Sequence, residues 1–221
     1  DQPLSFPSGT EGSSAAPAVV LAHYADGSFQ GLERLAVVPA GTRLLAGAIR
    51  DDDATAAALS NTDGFGAMGI SNWNLLVYRN AAGSVVLREL EAGGFAGSAS
   101  GLVVKDGRVV VSLPNPFNDA TLHRLFFFEG GAPVGTQTVR DSNPSAFALA
   151  GDRLLSTWGF PAYFYQEHGM DGQLLSSRTL TLSGSGNGVG ALAPAPSGTI
   201  FAKTSAGFGL EYGRLDDPGY F

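Results

Sequence analysis

The stretch AVVLAHYADGSFQGLERLAVV, Ala18–Val38, alternates apolar and polar residues, breaks at Asp26-Gly27 and then alternates again. Alternation with a period of two is typical of a β-strand with one buried face. Asp-Gly between two such runs favours a two-residue hairpin turn, because aspartate and glycine tolerate the positive φ that this turn needs. The stretch therefore predicts a β-hairpin, and its recurrence along the chain decides the fold.

Similar hairpins recur along the chain at residues 73–90, 121–139 and 162–180, with a shorter copy at 210–221. Their turn glycines follow one another at intervals of 56, 48, 41 and 47 residues, at Gly27, Gly83, Gly131, Gly172 and Gly219. A second hairpin type, whose first strand is rich in Ala, Val and Leu, lies between them at residues 35–49, 101–113, 147–158 and 191–204. The alternation of the two types predicts four strands per repeat.

Four antiparallel strands in a repeat of roughly 40 to 50 residues are typical of a β-propeller blade, with the crowded first strand innermost. We therefore predict an all-β chain that forms a single β-propeller domain over residues 1–221, with about five blades. The first blade, residues 1–32, is incomplete, and residues 51–73 form an insertion loop with a helical turn over Ala54–Leu59. A β-sandwich or jelly roll is the alternative, since it also has many short strands and glycine turns.

The motif HYADGSF, His23–Phe29, followed by a strand that ends VVPAGTRLLAGA, resembles the bacterial delta-sixty repeat propellers. Their units combine an apolar strand, a PDGK-like turn, a second strand and a YxxDGS-like turn. The likeness is best at Tyr24–Phe29, and weaker versions lie at Tyr78–Val85 and Met170–Leu174. The resemblance implies a propeller fold but no particular activity, because such repeats occur in proteins with many roles.

Composition narrows the classes of function. A net charge of -7, with only 13 Lys and Arg scattered singly, offers no basic stripe for phosphates and argues against a nucleic-acid partner. Apolar runs such as Leu125–Phe128 are far shorter than the roughly 20 residues that span a bilayer, so we expect no membrane insertion. The absence of cysteine excludes disulfides and thiolate metal sites. Because residue 1 is Asp, we expect a removed leader or a longer chain, and favour an extracellular or cell-surface location.

One metal site is suggested by the aspartates of the predicted insertion loop, Asp51, Asp52, Asp53 and Asp63. Their carboxylates are hard oxygen ligands that suit calcium, although their spacing does not match an EF-hand and such runs are more often solvated or capping features. The sequence suggests no other cofactor. Gly64–Gly69, GFGAMG, matches G-x-G-x-x-G without a preceding strand or following helix, and so predicts no nucleotide site.

Aromatic and amide side chains gather in the predicted connections, which in a propeller lie on one face and commonly carry function. Aromatic rings stack on sugars while amides bind hydroxyls, and the same surface could anchor a protein. The sequence therefore predicts a non-enzymatic recognition or assembly module for a carbohydrate or a protein. Its candidate ligand-binding residues are Trp73, Asn115, Phe117, Asn118, Asp119, Trp158 and Phe160. Alternatively, these aromatics pack between the sheets.

Two other functions remain open. The chain resembles five-bladed glycosidases of the arabinanase type in size, which implies a pair of catalytic carboxylates. Glu33 and Asp141 are the candidate pair, since the predicted inner strands themselves contain no carboxylate. A structural subunit of a surface assembly is the third hypothesis, in which a partner strand completes the first blade and covers its open edge. His23, His123 and His168 fall on predicted third strands and are expected to be structural or surface residues.

Overall fold

The computed structural model describes residues 4–6, 9–11, 18–38, 42–50, 55–62, 70–95, 101–114, 123–139, 143–159, 163–180, 189–196, 198–204 and 210–215. Every regular element in these ranges is a β-strand, so the predicted all-β class is confirmed. Within the same ranges, no helix has the length and apolar character needed to cross a membrane. The chain divides into two compact units, Asp1–Gly97 and Ser98–Phe221.

The described strands of the first unit form antiparallel ladders: β1 with β2, β3 with β4, and the four-stranded sheet β5-β6-β7-β8. In chain order they are β1 (Leu4–Phe6), β2 (Gly9–Glu11), β3 (Ala18–Ala25), β4 (Ser28–Val37), β5 (Thr42–Arg50), β6 (Thr55–Thr62), β7 (Ile70–Arg79) and β8 (Val85–Phe95). The opening stretch forms the predicted hairpin, β3–β4. Its turn residues Asp26 and Gly27 have φ of 50° and 74°, the positive values that the Asp-Gly pair supplies.

The segment expected to be an insertion loop with a helical turn contains strand β6 instead. Its alanines pair on both sides, with Ala56 opposite Ile49 of β5 and Arg79 of β7. Alanine's helix propensity is a weak preference, and ladders on two sides outweigh it. The hairpin predicted over residues 35–49 also differs, because residues 35–37 belong to β4 and pair with β3, whereas β5 pairs with β6.

The described strands of the second unit form three sheets, named here sheet A (β9–β12), sheet B (β13–β16) and sheet C (β17–β19). The strands are β9 (Gly101–Lys105), β10 (Arg108–Pro114), β11 (His123–Glu129), β12 (Ala132–Val139), β13 (Asn143–Ala150), β14 (Arg153–Gly159), β15 (Phe164–Gly169), β16 (Leu174–Thr179), β17 (Val189–Ala195), β18 (Gly198–Thr204) and β19 (Leu210–Arg214). Sheets A and B each combine one hairpin of each predicted type, β9–β10 with β11–β12 and β13–β14 with β15–β16. This confirms the predicted four-strand unit.

Neighbouring sheets of the second unit pack through their first strands and through apolar side chains. Strand β13 contacts β9 on one side and β17 on the other. Between sheets A and B lies a buried cluster of Val110, Leu125, Phe127, Val139, Leu149, Leu154 and Trp158. Between sheets B and C lies a second cluster of Ala146, Ala148, Leu155, Tyr165, Leu180, Val189, Phe201 and Leu215.

Sheets A and B contact each other at both of their ends. At one end, the Arg108 guanidinium donates to the carbonyl of Gly151, 3.2 Å away, which joins the tight turns of the two sheets. At the opposite end, the rings of His123 and Trp158 meet edge to face with centroids 5.9 Å apart. We call the first the turn end. The second is the connection end, where the chain leaves β10 after Pro114 and re-enters the ladder at His123.

Candidate functional site

Five of the seven predicted binding residues fall on the connections of sheets A and B, whereas Trp73 and Trp158 lie within strands. Residues 115–122 link β10 to β11, and residues 160–162 follow β14. Asn115, Phe117, Asn118, Asp119 and Phe160 therefore lie outside the described residues. The described strand ends show where these connections begin and end: Pro114 pairs with His123, and Trp158 pairs with Phe164. Since His123 contacts Trp158, the start of β11 lies beside the end of β14.

Trp158 lies in the interior beneath these connections. Its side chain is 0% exposed, and its ring meets Phe147 edge to face at 5.6 Å and stacks over Phe164 at 6.4 Å, measured between centroids. The indole Nε1 donates to Ser156 Oγ at 2.9 Å, so its polar atom is satisfied within sheet B. Trp158 therefore packs between the sheets, which is the alternative role that the sequence left open for the aromatic residues.

Two polar side chains share this interior near the connection end. Ser112 and His123 are 1% and 3% exposed, and both lie on the face of sheet A that packs against sheet B. Ser112 Oγ has no hydrogen-bond partner among the described residues. Ser112 was not among the residues predicted from the sequence, although a serine within the otherwise apolar run VVVSLP was a usable signal. A buried hydroxyl without a partner is costly, so Ser112 lowers the stability of this interface relative to an apolar residue of the same size.

The metal hypothesis concerns residues that lie outside the described parts of the chain. Asp51, Asp52 and Asp53 precede β6, whereas Asp63 follows its last residue. Eight extended residues span about 25 Å, so the two groups are attached to opposite ends of one strand. Binding of one ion by all four would require the flanking segments to return along β6. Among the described residues, no cluster of three or more His, Cys, Asp or Glu is placed to hold a metal.

Trp73 lies within β7, where it pairs with Thr62 of β6 and Glu91 of β8. The structure describes the register of Trp73 and not the surroundings of its side chain. Its strand belongs to the first unit, whereas the connections of sheets A and B belong to the second. Trp73 as a ligand-binding residue stays a prediction.

Glu33, one member of the candidate acid pair, is held in an ion-pair network of the first unit. Its carboxylate accepts a hydrogen bond from Arg79 Nε at 2.7 Å and lies 3.1 Å from His23 Nε2. Partial burial pushes the pKa of Glu33 up, but the hydrogen bonds and charges of Arg79 and His23 outweigh it and hold this pKa below its ordinary value. A glycosidase acid needs a raised pKa, so Glu33 is poorly suited to donate a proton. Asp141 lies outside the described residues.

Tyr165 joins sheets B and C without an evident chemical role. Its hydroxyl donates to Glu167 Oε1 at 3.0 Å and lies 3.4 Å from Thr199 Oγ1 of sheet C. Burial, with the nearby Glu167 carboxylate, raises the pKa of Tyr165 to about 12. The phenol therefore stays protonated under ordinary conditions, donates to Glu167 within β15 and accepts from the Thr199 hydroxyl of sheet C.

Comparison with known proteins gives structural likeness alone. No protein-family model matches the chain, and no curated protein matches it. The computationally designed protein Ika4 aligns with a TM-score of 0.40 and 16% identity, over 72% of this chain and 84% of its own. Luciferin-regenerating enzyme aligns with a TM-score of 0.45 and 13% identity, over 91% of this chain and 67% of its own.

AztD from Citrobacter koseri aligns with a TM-score of 0.42 and 12% identity, over 86% of this chain and 64% of its own. Luciferin-regenerating enzyme and AztD are propeller-type folds. At TM-scores below 0.5, none of these likenesses supports an inference about the function of this chain.

Proposed function

We propose that this chain is a non-enzymatic recognition or assembly module that binds a carbohydrate or a protein through the connection end of sheets A and B. The observation that carries the proposal is the contact between His123 and Trp158, with ring centroids 5.9 Å apart. It brings together the strand ends from which residues 115–122 and 160–162 depart. Asn115, Phe117 and Phe160 on these connections then supply the aromatic and amide groups that suit a sugar or a protein surface.

The architecture that we propose for this module is a β-propeller, with sheets A, B and C as consecutive blades. Support comes from the contacts of β13 with β9 and β17, the first strands of the neighbouring sheets. Crowded first strands next to one another are the arrangement expected around a propeller axis. The rigid sheets would then hold the connections in fixed positions, which lowers the entropy lost when a ligand binds.

A carbohydrate-processing enzyme is less well supported by the described residues. A glycosidase needs one protonated carboxylic acid and one base or nucleophile that face a common pocket. Glu33 is already paired with Arg79 at 2.7 Å, and its pKa is held low. The enzyme hypothesis predicts loss of turnover in Glu33→Gln or Asp141→Asn.

The first test of the proposal is a glycan-array screen of the purified protein in calcium buffer and again with a chelator, with each bound glycan also assayed for hydrolysis. Binding without hydrolysis supports recognition. Loss of binding in chelator would assign the site to Asp51, Asp52, Asp53 and Asp63, whereas binding indifferent to chelator would favour the connection end. Hydrolysis that is lost in Glu33→Gln would refute the non-enzymatic proposal.

The assembly form of the proposal has its own test. Among the described residues, β3 and β4 form a ladder of only two strands. A strand donated by a partner could therefore pair with an edge of this ladder. Light scattering of the purified chain distinguishes the two forms. A stable oligomer supports strand exchange between copies. A well-behaved monomer that binds a glycan excludes the partner-strand hypothesis.

A further inference from the structure

His168 is a buried imidazole in the interface of sheets A and B. It is 0% exposed, and neither ring nitrogen has a hydrogen-bond partner among the described residues. Its ring faces that of Phe127 in sheet A, with centroids 6.3 Å apart. A neutral imidazole always carries one N–H donor, and a charged one carries two. Burial at this position therefore costs free energy for the neutral ring and much more for the charged ring.

The imidazole lies next to a close backbone approach of the two sheets. The turn after β15, residues 169–173, lies directly on β12. A Cβ added at Gly172 would lie 2.9 Å from the carbonyl oxygen of Thr136, and one added at Gly135 would overlap the backbone of Asp171. Both positions therefore need glycine, and the turn and β12 meet backbone to backbone. Gly169, the first residue of this turn, follows His168 directly in the chain, so expulsion of the ring would displace the turn.

Charged groups of sheet A on the side of His168 are engaged with one another. Arg108 and Glu129, paired across β10 and β11, form an ion pair of 3.2 Å at the turn end. Lys105 of β9 stands opposite Arg108 in the ladder and adds a further positive charge. His123 lies at the connection end of β11. Strand β12 has no charged residue.

Among the described strands of sheet B, no acidic side chain lies on the face that His168 occupies. Arg153 and Glu167 form an ion pair of 3.3 Å on the face toward sheet C, the face that Arg178 shares. The Asp171 carboxylate accepts the amide of Gln173 at 2.9 Å in the turn, and this residue is exposed to solvent. In this setting burial alone lowers the pKa of His168 to about 4.

We propose that His168 is an acid-sensitive latch between sheets A and B: protonation in mild acid expels the imidazole and releases the 169–173 turn from β12, while each sheet keeps its own strands. The closed state favours the neutral ring, whereas an opened ring titrates near its ordinary value of 6.5. The closed state is therefore fully favoured above pH 6.5 and is progressively lost as the pH falls from there toward 4. The latch does not depend on the proposed binding function.

Hydrogen exchange of the intact protein, measured by mass spectrometry and corrected for the intrinsic rate at each pH, tests this latch. Between pH 7 and pH 4.5 we expect the protection of β12 and of the 169–173 turn to fall about fifty-fold, while β18 keeps its protection. His168→Gln and His168→Met should remove this pH response, since neither side chain titrates. His23→Gln, at an exposed histidine, should keep it.

Three results would overturn the latch. They are a fall in protection of less than about five-fold, an equal fall in β18, or an unchanged response in His168→Gln. If His168→Met does not fold, His168→Gln decides alone, because it keeps a polar group of similar size.

Discussion

Truncation of Trp158 should destabilise the second unit strongly, since this side chain is a central part of the interface between sheets A and B. The indole is 0% exposed. Burial of about 200 Å² of aromatic surface at roughly 25 cal/mol per Å² is worth about 5 kcal/mol, of which an alanine keeps little. Trp158→Ala should therefore lower the free energy of unfolding by about 3–5 kcal/mol. Trp158→Phe should cost about 1–2 kcal/mol, because it keeps a ring against Phe164 and loses the bond to Ser156 Oγ.

Urea denaturation followed by circular dichroism measures both variants against the unmodified protein. The matched control is Tyr24→Ala, which removes an aromatic ring that is 62% exposed and meets only Phe29 edge to face among the ring contacts described, and should change the unfolding free energy by no more than about 1 kcal/mol. A cost below about 1 kcal/mol for Trp158→Ala would refute the packing described here. It would also restore Trp158 as a candidate platform for a ligand.

Three further changes test other contacts. Gly101→Ala should destabilise by about 1–3 kcal/mol because its Cβ would overlap the Phe147 ring, and Phe147→Leu in the same chain should recover part of the loss in urea denaturation. Glu33→Gln should cost at most about 1 kcal/mol at pH 7. The lowered pKa of Glu33 stabilises the fold above its ordinary value of 4.5, so a thermal-melting difference that did not shrink as pH falls through this value would contradict the ion pair. Tyr165→Phe should cost about 1 kcal/mol by removing the hydrogen bond to Glu167, and an unchanged melting curve would exclude that contribution.

Local turn chemistry made much of the architecture predictable. Asp26-Gly27 and Asp106-Gly107 adopt positive φ at the predicted turns, because few other residue pairs tolerate that conformation. The four-strand repeat followed from the alternation of two hairpin types, and sheets A and B have it. Strand β6 was not predictable in this way. Its alanine-rich sequence has little β character, and the ladders with the neighbouring strands β5 and β7 make it a strand.

The burial of Trp158 could not be predicted from the sequence either. Strand β14 is buried on both faces from Leu154 to Gly159, so alternation carries no signal about which side chains remain accessible. Glu33 was selected by its position before a predicted inner strand, but its neutralisation by Arg79 depends on a contact 46 residues away. Pairwise contacts of this kind become visible only when the sheets are assembled.

The proposed recognition surface is tested most directly by titrating the best glycan from the array screen into three proteins by calorimetry: the unmodified chain, Phe117→Ala and Asp152→Ala. Phe117 is on the β10–β11 connection at the connection end, and Asp152 is an exposed residue at the turn end. We predict that Phe117→Ala weakens binding at least about ten-fold, equivalent to about 1.4 kcal/mol, while Asp152→Ala leaves the affinity unchanged. Unaltered affinity in Phe117→Ala, or loss of affinity in Asp152→Ala alone, would contradict recognition through the connection end.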